Sequence, residues 1–338
     1  MIVLLVGFKT PSAGQATLTV KDSIAIYTDS VFALMQQNSM FGDKVNWPLY
    51  KNWFLQQAKQ KLTFASALPL FQQLFDTLDD KHGYIQYNGK AYHGVKNRRD
   101  INSIRKPLLN ELMKSNLAVV AGIVDSGFGY IRLRGNNLAD NYAGVDSLAQ
   151  VIADSVCSIS SKNIRGWIVD LRLNSGGNMH PMISGLQSII GDGVFVNWID
   201  KKNNIISAAS LQNGGIVNSG NILAKLKTRC AQQPNRYKIA VLISEETSSS
   251  GEITALAFEG KNNVLFIGEK TAGFMTANSL YYLPFNSYIL IAGSYESGRD
   301  NKRYDFITPG IKMVDGDDFE DLSKDAKVAA AVEWLKKP

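Results

Sequence analysis

The chain has little of several things that would narrow its function quickly: 338 residues hold two cysteines and three histidines. No stretch reaches the 18 or so consecutive apolar residues of a membrane span, which excludes a helical membrane protein. No charge of one sign dominates. The formal net charge is +6, and the short basic runs Asn97-Arg98-Arg99 and Lys201-Lys202 read as solvated loops, not as a nucleic-acid surface. Repeats and low-complexity tracts are missing too. Cys157 and Cys230 are far apart and neither require a disulfide nor exclude one; two partly buried thiols fit equally. What remains is an ordinary globular composition, 45% hydrophobic and 20% charged, long enough for a sizeable core and for two domains.

Residues Met1 to Ala16 lack the basic start of an export signal, and their apolar run Ile2–Phe8 is short. Small residues follow at Ser12-Ala13-Gly14-Gln15-Ala16. We read 1–16 as a truncated export signal, with an N-terminal strand as the alternative. No cysteine stands where a lipoprotein anchor would need one. From Ile24 to Leu78 apolar residues recur at spacings of three and four, as in Leu70-Phe71-Leu74-Phe75-Leu78, which predicts helices. Residues 83–117 are polar and basic and predict a short strand plus loops. From 118 onward strands are expected near 118–124, 128–133, 167–171, 194–198, 237–243, 264–267 and 280–292. Helices are expected near 142–158, 181–190, 251–259 and 324–335. The expected organisation is an N-terminal helical cap domain over 17–117 and an α/β core domain over 118–338.

Two runs carry chemistry. Asp170-Leu171-Arg172-Leu173-Asn174-Ser175-Gly176-Gly177 follows the apolar strand Gly166-Trp167-Ile168-Val169, and its glycine pair lets backbone N–H groups approach a ligand. Thr247-Ser248-Ser249-Ser250-Gly251-Glu252 follows Ile239-Ala240-Val241-Leu242-Ile243 and opens a helix. A hydroxyl beside free amides is what nucleophilic acyl transfer needs. Each run also has a plain reading, a capping box for Ser249–Glu252 and a tight turn for Gly176–Gly177. Their order, followed by Gly268-Glu269-Lys270-Thr271-Ala272-Gly273 after the next strand, favours the chemical one.

In that order the three runs resemble the tail-specific (C-terminal-processing) serine proteases, whose wider superfamily includes the tricorn core protease and the interphotoreceptor retinoid-binding modules. Asn46-Trp47, Leu78-Asp79-Asp80-Lys81-His82-Gly83, Gly129-Tyr130-Ile131-Arg132 and Tyr304-Asp305-Phe306-Ile307-Thr308-Pro309 are similar to flanking elements of the family. The resemblance implies a crotonase/Clp-protease-like core of strand-strand-helix repeats. It also implies a peptide or unfolded-protein substrate and calls for no cofactor or metal. Fewer than 50 residues separate His82 from Gly129, too few for the PDZ domain of about 90 residues that many relatives carry.

Three consecutive serines cannot be told apart by sequence chemistry; the family register makes Ser249 the nucleophile. The same register places oxyanion donors at Ser250 and at Gly176 or Gly177. The Ser–Lys dyad of the best-known branch finds no support, because Phe274 follows Thr271-Ala272-Gly273 and Lys270 is expected to face solvent. The tricorn-like branch takes its base from a histidine, and His82 matches that position. His180 reads as a helix-opening residue and His93 as exposed. Asp305 is the acid expected to support His82, with Asp300 and Glu296 as nearby substitutes, although Lys81 replaces the serine through which that branch relays. The expectation is an exported, periplasmic or secreted serine endopeptidase. A ligand-binding module like the retinoid-binding relatives is the first alternative, and a crotonase-like acyl-thioester enzyme the second. Oligomeric state is not legible.

Overall fold

The computed structural model of the protein describes residues 18–96, 100–114, 119–125, 127–138, 142–231 and 237–338. The segment 1–16 and the run Asn97-Arg98-Arg99 lie outside the described residues. Helices in chain order are α1 (Val20–Asn38), α2 (Trp47–Ala58), α3 (Phe64–Ala67), α4 (Leu70–Leu78), α5 (Lys106–Leu112), α6 (Tyr142–Ser160), α7 (Met179–Gly185), α8 (Gln187–Ile190), α9 (Ser250–Leu256) and α10 (Ala326–Lys336). Strands begin with β1 (Tyr84–Tyr87), β2 (Lys90–His93), β3 (Val119–Val124), β4 (Phe128–Leu133), β5 (Gly166–Asp170), β6 (Gly193–Ile199) and β7 (Ile205–Gln212). They continue with β8 (Gly215–Asn218), β9 (Asn221–Lys225), β10 (Lys238–Ile243), β11 (Val264–Gly268), β12 (Thr276–Leu283), β13 (Ser287–Ser297) and β14 (Ile311–Lys312). The chain divides into two compact units. One holds the described residues up to Asp100 plus Thr276–Tyr295; the other holds Ile101–Met275 plus Glu296–Pro338.

In the first unit α4 buries Leu70, Phe71, Leu74, Phe75 and Leu78, the single face that their spacing predicts. Asp79, left-handed at φ 56°, ends the helix. An antiparallel sheet in the order β2-β1-β13-β12 packs beneath the helices. Ile85, Tyr92, Leu283, Ile289 and Ile291 share one buried cluster with Phe32, Phe54 and Phe71. The expected helices are there, but two hairpins join them. β1 and β2 turn at Asn88-Gly89, both at positive φ, the dipeptide that suits a tight hairpin. The single strand expected over 280–292 is the β12–β13 hairpin, turned at Phe285 (φ 60°) and Asn286 (φ 51°). Apolar alternation runs through both arms and no glycine marks this turn. That hairpin belongs with the N-terminal helices, so the division expected at 117 and 118 does not follow the compact units.

The second unit is built on a sheet in the order β14-β11-β10-β5-β4-β3. All neighbours are parallel except β3 with β4. The central strands are covered on both faces, which is why they read as continuous apolar runs. Trp167, Val169, Ile239 and Val241 face a cluster fed by α6, α7 and α9. Ile168, Ala240 and Leu242 face Val328, Ala331 and Leu335 of α10. An antiparallel meander β6-β7-β8-β9 adds Phe195, Leu211 and Ile216 to the first cluster; only its first strand was legible in the sequence. A disulfide, Cys157–Cys230, ties α6 to the chain after β9. Because β5, β10 and β11 are adjacent and parallel, the loops after them leave one edge of the sheet, where α/β folds place their ligands.

Candidate active site

The loop after β5 is anchored by buried charge. Arg172, fully buried, bonds Asp170 through Nη2 and Asp317 and Asp325 through Nη1, each at 2.7 Å. Tyr130 donates its hydroxyl to Asp170 at 2.7 Å. Burial alone would raise the Asp170 carboxyl; the adjacent Arg172 overrides it and holds the pKa below the usual range. A buried arginine is tolerable only with such partners, so the Asp-Leu-Arg triplet is a structural bracket that sets where Asn174–Gly177 emerges.

Hydroxyl groups stitch this loop to the one after β10. Ser244 Oγ donates to the Arg172 carbonyl at 2.6 Å and Thr247 Oγ1 to the Leu171 carbonyl at 2.8 Å. Ser248 Oγ donates to Ser175 O at 2.9 Å and Ser250 Oγ to Gly177 O at 2.6 Å. Two of the three consecutive serines are therefore engaged in holding the loops together, and Ser249 is the one that takes no part. Its backbone is unusual as well: φ 51° and ψ −121°, a region that residues with a Cβ rarely enter. The capping box expected here is present as well: the Ser249 N–H bonds Glu252 Oε2 at 2.9 Å, and the Glu252 N–H, which faces the Ser249 side chain, bonds the Ser249 carbonyl at 2.7 Å.

Glu252 matters in another way. Fully buried, it accepts the Ser249 N–H at 2.9 Å and the Phe274 N–H at 2.8 Å on Oε2. On Oε1 it accepts the Thr271 hydroxyl at 2.6 Å and the Gly273 N–H at 2.9 Å. Burial raises its pKa against the pull of these four donors. Thr271 Oγ1 in turn accepts the Ile307 N–H at 2.9 Å. Glu252 and Thr271 were visible as motif letters only; their pairing across 19 residues had no sequence signal of its own.

The glycine pair divides its work. Gly176, at φ 97°, passes so close to the serines that a Cβ there would lie 2.8 Å from Ser248 O and 3.0 Å from Ser249 Cβ. Its N–H bonds Asn174 Oδ1 at 3.2 Å. Gly177, at φ 103°, backs onto Asn136, where a Cβ would lie 1.5 Å from the carbonyl oxygen. Their parallel bridge uses the Gly176 carbonyl and the Asn178 N–H and turns the Gly177 N–H to the opposite side.

A family model described as peptidase family S41 matches residues 127–312. The chain belongs to peptidase family S41. It is 30% identical over 308 residues to the nisin-resistance protein of Lactococcus lactis subsp. lactis, across 89% of this chain and 84% of that one. It is 28% identical over 200 residues to the carboxy-terminal processing protease CtpA of Bacillus subtilis (strain 168), across 56% of this chain and 39% of that longer protein. Among solved structures, a lipoprotein from Streptococcus agalactiae shares the fold at TM-score 0.67 and 19% identity, covering 98% of this chain and 99% of that one. The photosystem II D1 C-terminal processing protease does so at TM-score 0.58 and 12% identity, covering 86% and 93%.

The other expected residues of this S41 chain are each placed. His82 lies in the first unit, in the turn before β1, half-buried. Its Nδ1 is 2.9 Å from the Thr276 carbonyl. Burial lowers its pKa to about 4, with the Thr276 bond opposing and His93 adding to the effect. Asp305, expected to support His82, is an exposed carboxylate whose Oδ1 is gripped by Arg303 at 2.7 and 3.0 Å; the acceptor on Nδ1 is a main-chain oxygen instead. Lys270 is exposed, its ammonium 4.2 Å from the centre of the Phe306 ring. His180 opens α7, capped by Asn178 through its own N–H at 2.9 Å. His93 is half-buried against Tyr84 at 4.7 Å between ring centres, not exposed as the polar stretch around it suggested.

Proposed function

We propose that the chain is a serine endopeptidase in which Ser249 is the nucleophile and His82 the general base. The observation that carries this reading is the backbone of Ser249, held in a strained conformation between two serines whose hydroxyls are engaged elsewhere. Strain of this kind is kept where the surroundings enforce it, and it concentrates at functional sites. In the proposed reaction His82 Nε2 takes the Ser249 proton as Oγ attacks the peptide carbonyl, and the amides of Gly177 and Ser250 stabilise the oxyanion. His82 then gives the proton to the leaving amine, and water hydrolyses the acyl-enzyme. No step needs a cofactor. The crotonase-like description of the core and the tricorn-like branch belong to this proposal, as do peptide or unfolded-protein substrates. So does an exported location, which the Cys157–Cys230 disulfide supports. Nisin, named in the Lactococcus relative, is the first substrate to try.

A fluorophosphonate probe tests the assignment. Wild-type protein should label, Ser249→Ala should not, and Ser248→Ala and Ser250→Ala should keep part of the labelling. Equal labelling of Ser249→Ala, or an inert wild type beside a reactive control hydrolase, would remove the nucleophile.

A further inference from the structure

We infer that His82 is oriented by a three-point clamp in which the main-chain carbonyl of Thr276 takes the ring, and Asp80 and Asn278 are positioning residues for its backbone. This deepens the proposed reading of His82 as the base and rests on it.

The clamp engages ring and backbone separately. Asp80, 1% exposed, accepts the His82 N–H at 3.1 Å and the Gly83 N–H at 2.7 Å on Oδ1. Its Oδ2 lies 3.5 Å from the Ala292 N–H. The turn closes only because residue 83 is a glycine: a Cβ there would lie 2.6 Å from Asp80 Oδ2 and 2.8 Å from the Phe75 ring. On β12, Asn278 Nδ2 donates to the His82 carbonyl at 3.0 Å. Thr276 offers its carbonyl to Nδ1 at 2.9 Å and its hydroxyl at 3.2 Å. Backbone N–H, backbone carbonyl and ring are thus each held by a different residue.

A carbonyl oxygen can only accept, so Nδ1 must carry the proton and the lone pair must be on Nε2. That is the tautomer a base needs, and in a triad a carboxylate selects it. Here a neutral main-chain oxygen does so, which orients the ring but lends the imidazolium less support. Among the groups that act on it, His93 on β2 is titratable and Asp80 on its own turn is acidic; its anchors on β12 are uncharged. Asn278 adds a second sign of purpose. Its Oδ1 is buried without a hydrogen-bond partner among the described residues. Such a half-satisfied buried amide is costly, and proteins break that rule mainly at functional positions. One stretch of chain also serves two groups: the N–H groups of Gly273 and Phe274 go to Glu252, and Thr276 and Asn278 go to His82.

The test is nitrogen-15 NMR of the imidazoles in the whole protein, together with turnover of a peptide substrate. Wild-type His82 should show the Nδ1–H tautomer from pH 5 to 8. Asn278→Asp keeps the shape but loses the donor; it should mix the tautomers and lower kcat about 10- to 100-fold with KM unchanged, as small misplacements of a catalytic group do. Asp80→Asn, which keeps an acceptor oxygen, should stay near wild type, whereas Asp80→Ala should fall with Asn278→Asp. An Nε2–H tautomer in the wild type overturns the clamp without need of any variant, even if the variants fail to fold. Wild-type tautomer and kcat in Asn278→Asp overturn its positioning role. A wild type inert to the fluorophosphonate would instead remove the base reading, while the tautomer would still decide where the ring is anchored.

Discussion

Glu252 holds the backbone N–H of Ser249 at 2.9 Å while its other carboxylate oxygen takes the Thr271 hydroxyl at 2.6 Å. One buried side chain therefore joins the strained serine to the loop after β11. A carboxylate is the only side chain that accepts on both oxygens and donates on neither. Glu252→Gln must turn an NH2 group toward at least one of the donors facing it. Leaving buried donors unpaired costs about 1–3 kcal/mol each, so Glu252→Gln should lower the melting temperature and lose most phosphonate labelling. Thr271→Val, which removes one donor and one acceptor, should do the same to a lesser degree. Wild-type melting and labelling in Glu252→Gln would show that the carboxylate is only a cap.

Ser249→Gly should make the protein more stable while abolishing labelling. At φ 51° and ψ −121° a Cβ is disfavoured and glycine is not, and relief of such strain is worth about 1–3 kcal/mol before glycine's entropy is subtracted. Ser249→Ala keeps the Cβ and should leave stability near wild type. Thermal melts of the pair decide. Ser249→Gly melting below Ser249→Ala would mean that the conformation stores no strain.

The acid limb of activity should lie well below the ordinary histidine range. With the His82 pKa lowered from 6.5 to about 4 by burial, the ring is already neutral at pH 5.5. A kcat/KM profile should be flat from about there to pH 8 and fall only towards pH 4, where the sequence alone suggested a rise through 6.5. Stability carries the matching sign. The unfolded chain takes up the His82 proton first, so this contribution is whole above about pH 6.5 and is lost as pH falls towards 4. An activity midpoint near 6.5 that disappears in His82→Ala would show that the ring is more solvated than its surroundings indicate.

Glu296 should destabilise the protein progressively on the alkaline side. It is 5% exposed, one of its carboxyl oxygens has no hydrogen-bond partner among the described residues, and burial followed by the Glu252 charge raises its pKa well above the carboxylate range. A raised pKa means stability that is complete below the unfolded value and is lost as pH climbs through the folded one. Glu296→Gln should melt progressively higher than wild type as pH rises from about 5 to 9. A melting difference independent of pH would refute the buried neutral acid.

The sequence by itself determined the α/β class, the helices over 24–78 and the three loops after β5, β10 and β11. Those features are written in local terms: apolar spacing of three and four in Leu70–Leu78, continuous apolar strands at Gly166–Asp170 and Lys238–Ile243, and glycine or hydroxyl residues where the strands end. It singled out Ser249 and His82 by position in a motif, without a physical reason to prefer Ser249 over Ser248 or Ser250. Only the tertiary structure separated the serines, because the carbonyls that engage Ser248 and Ser250 belong to a loop more than 70 residues away. It also engaged the Gly176 N–H with Asn174, gave Asp305 to Arg303, and moved the hairpin of residues 276–295 to the N-terminal unit. Each of these depends on which distant groups meet. Hydrogen-bond partners and burial are properties of the folded neighbourhood, and no periodicity along the chain encodes them.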